Sequence, residues 1–473
     1  MGSLFAALGS AGEALRAFEQ SVDVTQNNVS NANSPGYAKQ VALMDSLAFQ
    51  PSNGLMGGVK EQTEDTRNQF AETAVQQQTS LLGEYQQLQT SLAPIQSVFD
   101  VSSNSPIPSA LNQLFASFSA WSTSPSDPNS QNAVLTAAGT VATAFQQASS
   151  QLAQIRSSTD SDLKSTVAQI NQDAATIQSY NVAVTQETSP DAGLQAQLYS
   201  AIDDLSNFAN VQVVPGNGGT VTVLLGGQTP LVIGTQVNAL QVQYTPSANA
   251  TNPNAPPGAS IVDSHGVDVT SQVSSGALAG LLSVRNDLIP SLIGDDQQTG
   301  DLNTLAKSLA DTVNNALAQG STTATPPYQS GAPLFTYNAS SANLASTLQV
   351  NPSLTPDQLA AVDPGPPVVS NGTALNLAGL DSDPAGQING LSFTGFFASL
   401  ATRVGNAAQQ ADTNEAAQSQ LVAQATNLRQ QLSGVSLDDE AVTLVQLQRS
   451  YQAASKVVNV VDELTQTILN MVQ

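Results

Sequence analysis

The chain's one histidine sits in Asp263-Ser264-His265-Gly266, where acid, hydroxyl and imidazole stand in a row. A serine hydrolase needs those groups brought together from separate stretches, with the hydroxyl raised on a strained Gly-x-Ser-x-Gly elbow. Adjacent residues do not converge in that way and no such elbow occurs, so His265 reads as a turn residue facing solvent. Asp295-Asp296 followed by Gly300-Asp301 has the look of a calcium loop, which closes on a bidentate glutamate. Ala306 or Lys307, depending on register, occupies that place. Gly216-Asn217-Gly218-Gly219 is too weak a match for a phosphate cradle and reads as a turn between strands. There is no cysteine, which excludes disulfides and thiolate chemistry. These residues lead us to expect no catalytic site, no metal and no cofactor.

The other chemistry on offer is hydrogen bonding. Asn27, Asn28, Asn31 and Asn33 crowd one short stretch. Such side chains compete for their own backbone and end helices; the alternative is that their amides bridge subunits. Tyr37 and Tyr451 are amphipathic, suited either to a core or to an interface.

The elements carrying these residues are helices. Leu4, Leu8, Ala11, Leu15, Phe18, Val22, Thr25 and Val29 recur in steps of four and three, the seam of a coiled-coil-like helix. Ser34-Pro35-Gly36 ends it, because proline cannot continue the hydrogen-bond ladder. At the other end Leu447, Tyr451, Ala454, Val458, Val461, Thr465, Ile468 and Val472 form a matching stripe. Ser436-Leu437-Asp438-Asp439 fits a capping box at the start of that helix, with acids where the helix dipole favours them. From there to Gln473 a helix reaches about 55 Å, and one apolar stripe of that length needs a long partner.

Helical spacing recurs over 63–99, around Leu111 to Trp121, over 145–186, over 277–318 and over 393–432. Between them, alternating valines and leucines from about 210 to 273 read as strands, and a Pro-, Gly- and Ser-rich stretch from 320 reads as loops and short strands. The expected fold class is mainly α with β inserts (α+β), in which paired terminal helices continue into an elongated helical bundle with a β-rich outer domain. Its expected parts are a terminal helical pair (1–60 with 436–473), a helical bundle (61–209, 277–319 and 393–435), a β-rich insert (210–276) and a loop/β-rich insert (320–392).

Across 473 residues only 10% are charged and 5% aromatic, with 12 basic residues against 36 acidic and a net charge of -24. That sign opposes phosphate-backbone binding, so neither nucleic acid nor an anionic membrane surface is expected as a partner. No run approaches a membrane span. Residues 1–20 lack a basic n-region, and Glu13 and Arg16 break any apolar h-region, so no cleaved signal peptide is expected.

Asn27-Asn28-Val29-Ser30-Asn31-Ala32-Asn33-Ser34-Pro35-Gly36-Tyr37 resembles the N-terminal signature of flagellar rod, hook and hook-associated proteins. Ser433-Gly434-Val435-Ser436-Leu437-Asp438-Asp439-Glu440, with Gln446 to Ala453, is similar to their C-terminal signature. Rod and hook subunits have mainly β bodies, whereas this interior is helical. Its Leu114-Phe115-Ala116-Ser117-Phe118, its Leu278 to Asn286 and its Gly331-Ala332-Pro333-Leu334-Phe335 resemble the flagellar hook-associated protein 1 (FlgK) family of hook-filament junction proteins. Gly193 to Leu205 departs from that family by lacking an arginine, and Ala316 to Gln319 by lacking a histidine.

The resemblance implies a structural subunit of the bacterial flagellum, exported through the flagellar channel without a cleaved signal. Its implied partners are identical subunits in a ring, the hook protein, the second hook-filament junction protein and an export chaperone. The implied subunit interface is Leu4, Leu8, Leu15, Phe18, Val22, Asn27, Asn31, Asn33, Tyr37, Leu447, Tyr451, Val458, Val461 and Ile468. The implied chaperone footprint is Leu447, Tyr451, Val458, Val461 and Ile468. The alternatives are a rod or hook subunit of the same axial class and a secreted surface-binding module.

Overall fold

A computed structural model describes residues 2–50, 55–100, 105–186, 191–248, 250–382 and 388–471. The side chains of 2–7, 48–50, 55–58 and 469 are outside that description. In chain order the elements begin with α1 (Gly2–Asn31), β1 (Gln40–Gln50), β2 (Leu55–Asp65), α2 (Gln69–Val98), α3 (Pro106–Thr123), α4 (Pro128–Gln186) and α5 (Ala192–Phe208). Six strands follow: β3 (Val211–Pro215), β4 (Val221–Leu225), β5 (Thr229–Ile233), β6 (Gln236–Val237), β7 (Gln241–Tyr244) and β8 (Ala259–Val262). The remainder is α6 (Ala277–Ser283), a π-helical turn (Val284–Leu288), α7 (Ile289–Ile293), α8 (Asp301–Gln319), β9 (Phe335–Thr336), β10 (Gln349–Val350), α9 (Gly372–Gly379), α10 (Phe393–Ser433) and α11 (Leu437–Met471). The fold is mainly α with small antiparallel sheets, as its spacing predicts.

The chain divides into two compact units. The first comprises Met1–Ser80, Asn171–Asn238 and Gln418–Gln473, and holds both chain ends. Its four-stranded sheet runs in the order β3-β4-β5-β6. Fully buried Asn181 of α4 fixes that sheet to its helix. Its Nδ2 donates to the carbonyls of Val221 and Gly234, both at 2.7 Å, while its Oδ1 accepts from the Val221 N–H at 2.8 Å. Leu198, Ile202 and Leu205 of α5 and Val223, Leu225 and Leu231 of the sheet are buried, at about 1.5–3 kcal/mol for each such side chain.

The second unit, Leu81–Ile170 with Ala239–Ala417, is built around Trp121, Phe118, Phe145, Leu305, Leu309 and Phe397. Phe115 stacks on Phe393 with ring centroids 6.3 Å apart. Gly280 lets α6 cross α2 at backbone contact, since a Cβ there would lie 2.8 Å from the Glu84 carbonyl oxygen. In the π turn, Arg285 donates through Nε to Asp160 at 2.6 Å and through Nη2 to the Pro257 carbonyl at 2.9 Å.

Four details differ from the sequence reading. Residues 40–65, expected in a helical pair and at a helix start, form the antiparallel β1–β2 hairpin, and α2 begins only at Gln69. The period-two signal Val41, Leu43, Leu47 is short, and β2 contributes few apolar residues to reinforce it. The 277–318 helix is broken at 294–300, where Gly294 and Gly300 adopt φ of 82° and 78°. Strands of the 210–276 stretch are shared, β3 to β6 in the first unit and β7 to β8 in the second. The 320–392 stretch contains helix α9, and its Leu334, Phe335, Leu348 and Leu377 join the same core as Trp121. Its prolines and glycines break periodicity without breaking burial.

Candidate functional site

Helix α1 ends in a turn in which the Ser34 N–H donates to the Asn31 carbonyl at 2.9 Å and the Tyr37 N–H to the Ser34 carbonyl at 3.2 Å. Gly36 completes it at φ 71°, a left-handed conformation that favours glycine. A Cβ at that position would lie 2.3 Å from the Ala196 carbonyl oxygen and 2.7 Å from the Ser200 nitrogen. The turn therefore lies backbone to backbone on α5, which no side chain larger than hydrogen permits.

Directly before this turn, Asn28 makes four hydrogen bonds. Its Nδ2 donates to the Gln40 carbonyl at 2.8 Å and to Glu440 Oε2 at 3.1 Å. Its Oδ1 accepts from the Tyr37 hydroxyl and from the Gln40 N–H, each at 2.9 Å. Lys39 Nζ reaches Glu440 Oε1 at 2.8 Å, and the Lys39 N–H donates to the Ser433 carbonyl at 2.9 Å. Ser433 Oγ in turn accepts from the Asn68 N–H. Burial, then the charges of Glu440 and Asp191, push the Tyr37 phenol up to about 12, so at neutral pH it is held protonated as a donor. Helix α11 starts at Leu437, just after Ser436, whose Oγ accepts from the Asp439 N–H at 3.4 Å.

A second polar group adjoins the first. Glu72 is held by Arg67 Nη1 at 2.7 Å and by Arg429 Nη1 at 3.2 Å, and Arg429 also reaches Asp203 at 2.7 Å. Arg67 donates through Nη2 to the Gly36 carbonyl at 2.7 Å and lies 3.5 Å over the Tyr199 ring. Burial raises the Asp203 carboxyl, opposed by the Arg429 charge beside it. Asn33, Gly36, Tyr37, Arg67, Glu72, Arg429 and Ser433 line a polar cavity of about 270 Å³ here. The arrangement offers positioning rather than catalysis: paired charges and satisfied amides that tie both chain ends to α2, α5 and α10.

The structure places the predicted interface residues unevenly. Leu8, Leu15, Phe18 and Val22 are half-buried, while the buried positions of α1 are Thr25, which belongs to the predicted stripe, and Ala17, Ser21 and Asn28, each one residue before a member of it. Leu4 lies outside the described side chains. On α11 the predicted stripe is the covered one: Leu447, Tyr451, Val458 and Ile468 are half-buried and Val461 is buried. Tyr451 donates to Glu19 of α1 at 3.1 Å. Asn27 and Asn33 are exposed, and Asn31 bonds locally, to Asn27 Oδ1 at 2.6 Å. Leu437, Val442, Val445, Val457, Val460 and Leu464 of α11 remain exposed.

Sequence reasoning missed Lys39, Arg67, Glu72 and Arg429; it held Ser433 and Glu440 only within the C-terminal signature and did not single out Asn28 among its neighbours. One signal was present: with only 12 basic residues in the chain, a lysine and two arginines close to the two end signatures are conspicuous.

The residues with catalytic appearance do not make sites. His265 Nδ1 faces both Ser264 Oγ at 3.3 Å and Asp263 Oδ2 at 3.6 Å, so one nitrogen meets both groups and no relay through the ring is formed. The histidine is exposed. Asp295 Oδ1 accepts from the Gln297 and Gln298 N–H groups and Asp296 Oδ2 from that of Ser247. Among the described residues no group of three acidic or histidine side chains is close enough to hold a metal.

Comparison with known proteins places these features in context. The family model described as the flagellar hook-associated protein FlgK helical domain matches residues 92–335. The flagellar basal body rod FlgEFG protein C-terminal model matches 417–471. Flagellar hook-associated protein 1 of Bacillus subtilis is 25% identical over 519 aligned residues, covering 99% of each chain. Its Escherichia coli counterpart is 21% identical over 556, covering 98% of this chain and 99% of that one. Among solved structures, the flagellar hook junction protein FlgK from Burkholderia pseudomallei shares the fold, with a TM-score of 0.65 at 18% identity over 76% of this chain and 99% of that one.

Proposed function

Because the chain belongs to the flagellar hook-associated protein FlgK family, we propose that it is the hook-filament junction subunit, mounted through the α1–α11 pair. The family is structural and not enzymatic, and the protein's place is the flagellum. The C-terminal match is to a model named for rod proteins, so it does not separate junction from rod; the helical match over 92–335 does.

The observation that carries the reading is the distribution of polarity between the ends. The polar network around Asn28 and Glu440 ties α1 to α11, while Leu15, Phe18 and Val22 stay half-exposed and Val442, Val445, Val457 and Val460 exposed. A helical pair registered by hydrogen bonds and left with apolar surface is a part awaiting neighbours. Identical subunits around the flagellar axis supply that cover, with the hook protein on one side and the second junction protein on the other. The terminal pair forms the inner wall of that assembly. A heterologous interface repeated about an axis closes into such a layer.

Before assembly the ends travel unfolded through the export channel. A chaperone covering Leu447, Tyr451, Val458, Val461 and Ile468 takes the face that α1 otherwise occupies, so chaperone and α1 exclude each other. Ordering entropy is then spent at the moment of docking.

Deleting residues 440–473 tests the reading. The expected result is hooks without filaments and unpolymerised flagellin in the medium; normal filament growth from the truncated subunit would refute it.

A further inference from the structure

The β1–β2 hairpin carries exposed apolar residues and, among the described residues, no third strand joins it. Leu43, Asp45 and Leu47 alternate onto one of its faces, all three exposed, and the face opposite carries Met44, also exposed. A two-stranded ribbon of this kind is marginal alone in water, and it invites a partner. In the register Asp45 faces Lys60 and Val41 faces Glu64, but no ion pair joins Asp45 to Lys60 among the described residues. That face therefore carries two carboxylates against one ammonium.

Helix α11 presents the complementary pattern. From Ala441 to Val461 it contains Arg449 and Lys456 and no acid at all, in a chain with three acids for each base. Arg449 is exposed and makes no ion pair among the described residues. Four residues before and after it, on the same helical face, stand Val445 and Ala453, both exposed. The distances match. Leu43 and Leu47 lie about 7 Å either side of Asp45 at the strand rise, and Val445 and Ala453 lie about 6 Å either side of Arg449 at the helical rise. Within one copy the two faces do not meet: Leu43, Leu47 and Val445 are all left open.

We propose that the hairpin of one copy lies on the Val445–Arg449–Ala453 face of α11 in a second copy, with Asp45 opposite Arg449 and the two leucines beside Val445 and Ala453. Lys60 then falls beside the neutral Gln448 and Gln452, which α11 also exposes. This rests on the α1–α11 assembly proposed above and adds to it a specific contact between copies. The acidic strand face selects the acid-free segment of α11 and disfavours the acid-bearing turns at Asp438 to Glu440 and at Asp462-Glu463, which sets how far one copy slides along the next.

Charge exchange in a deletion strain carrying the full-length protein tests it. Asp45→Arg and Arg449→Asp should each lower the fraction of cells bearing filaments about tenfold, since each places like charges in contact. The double variant D45R/R449D should restore most of that loss. The cysteine-free chain permits a second measurement: Leu47→Cys with Val445→Cys, and Leu47→Cys with Ala453→Cys, on flagella isolated and oxidised. One of the two pairs should yield disulfide-linked dimers. Full filament formation by both single reversals, a double variant no better than the worse single, or no dimer from either cysteine pair would each overturn the contact. The deletion of 440–473 separates this from the assembly reading: if that deletion abolishes filaments while the exchanges have no effect, only the hairpin contact is lost.

Discussion

Asn28 and Glu440, separated by 412 positions in the chain, are joined side chain to side chain at 3.1 Å, with no more than 2% of either residue exposed. Like the exposed Tyr451–Glu19 bond further along the pair, it records that the two ends fold against each other. Glu440 is also neutralised by Lys39, and Asn28 has all four of its hydrogen-bonding positions filled.

Asn28→Ala should therefore cost more than an ordinary helix substitution. It strands the Gln40 N–H and carbonyl and removes a donor from a buried carboxylate, at about 1–3 kcal/mol for each buried group left unpaired. Chemical denaturation of the purified protein checks this, with Asn27→Ala, on the exposed side of the same helix, as the near-neutral control.

Gly36→Ala introduces a Cβ where the Ala196 carbonyl stands at 2.3 Å and forces an L side chain into φ 71°. The conformational part alone costs about 1–2 kcal/mol, and the turn must also lift from α5. Faster amide exchange over 192–200 in the variant is the expected sign.

Arg67→Ala leaves Glu72 with Arg429 alone in a buried position, a change worth about 3–5 kcal/mol when one partner of a buried pair is removed. Arg67→Lys should recover only part, because a lysine cannot serve Glu72 and the Gly36 carbonyl together while lying flat on Tyr199. Denaturation midpoints of the two variants measure the difference.

The Tyr37 phenol, raised from 10.0 to about 12, gives the junction a pH limit. A group whose pKa is higher folded than unfolded contributes stability that is complete below the unfolded value and is lost as pH rises through the folded one. The junction should loosen between pH 10 and 12, and Tyr37→Phe should flatten that part of the stability profile relative to the parent. Other raised tyrosines, Tyr180 among them, are common to both proteins and cancel in the comparison.

Much of this architecture was legible in the sequence because long helices repeat their signal. The α11 stripe Leu447, Tyr451, Val458, Val461 is the face the structure covers, since seven-residue spacing kept over about four turns leaves little ambiguity. On α1 the apolar spacing included buried Thr25 but otherwise fell one residue past the buried Ala17, Ser21 and Asn28. Ala17, Ser21, Thr25 and Asn28 are small or polar, and burial there serves close approach and hydrogen bonding rather than hydrophobic cover. No periodicity reports that. The β1–β2 hairpin was missed because an open ribbon buries little, and the 320–392 stretch because irregular backbone places core leucines without a period. Glu440 was read as a helix-dipole acid; its partners Asn28 and Lys39 are distant in sequence, so only the fold brings them together.

Hydrogen exchange measured on the free subunit and on the same protein within isolated flagella tests the central claim most directly. If α1 and α11 complete their apolar cover from neighbouring copies, amides over 8–24 and 446–468 should exchange rapidly in the free subunit and become strongly protected after assembly, while the fully buried amides of α8 change little. Equal protection of the two end helices in both states would contradict the account.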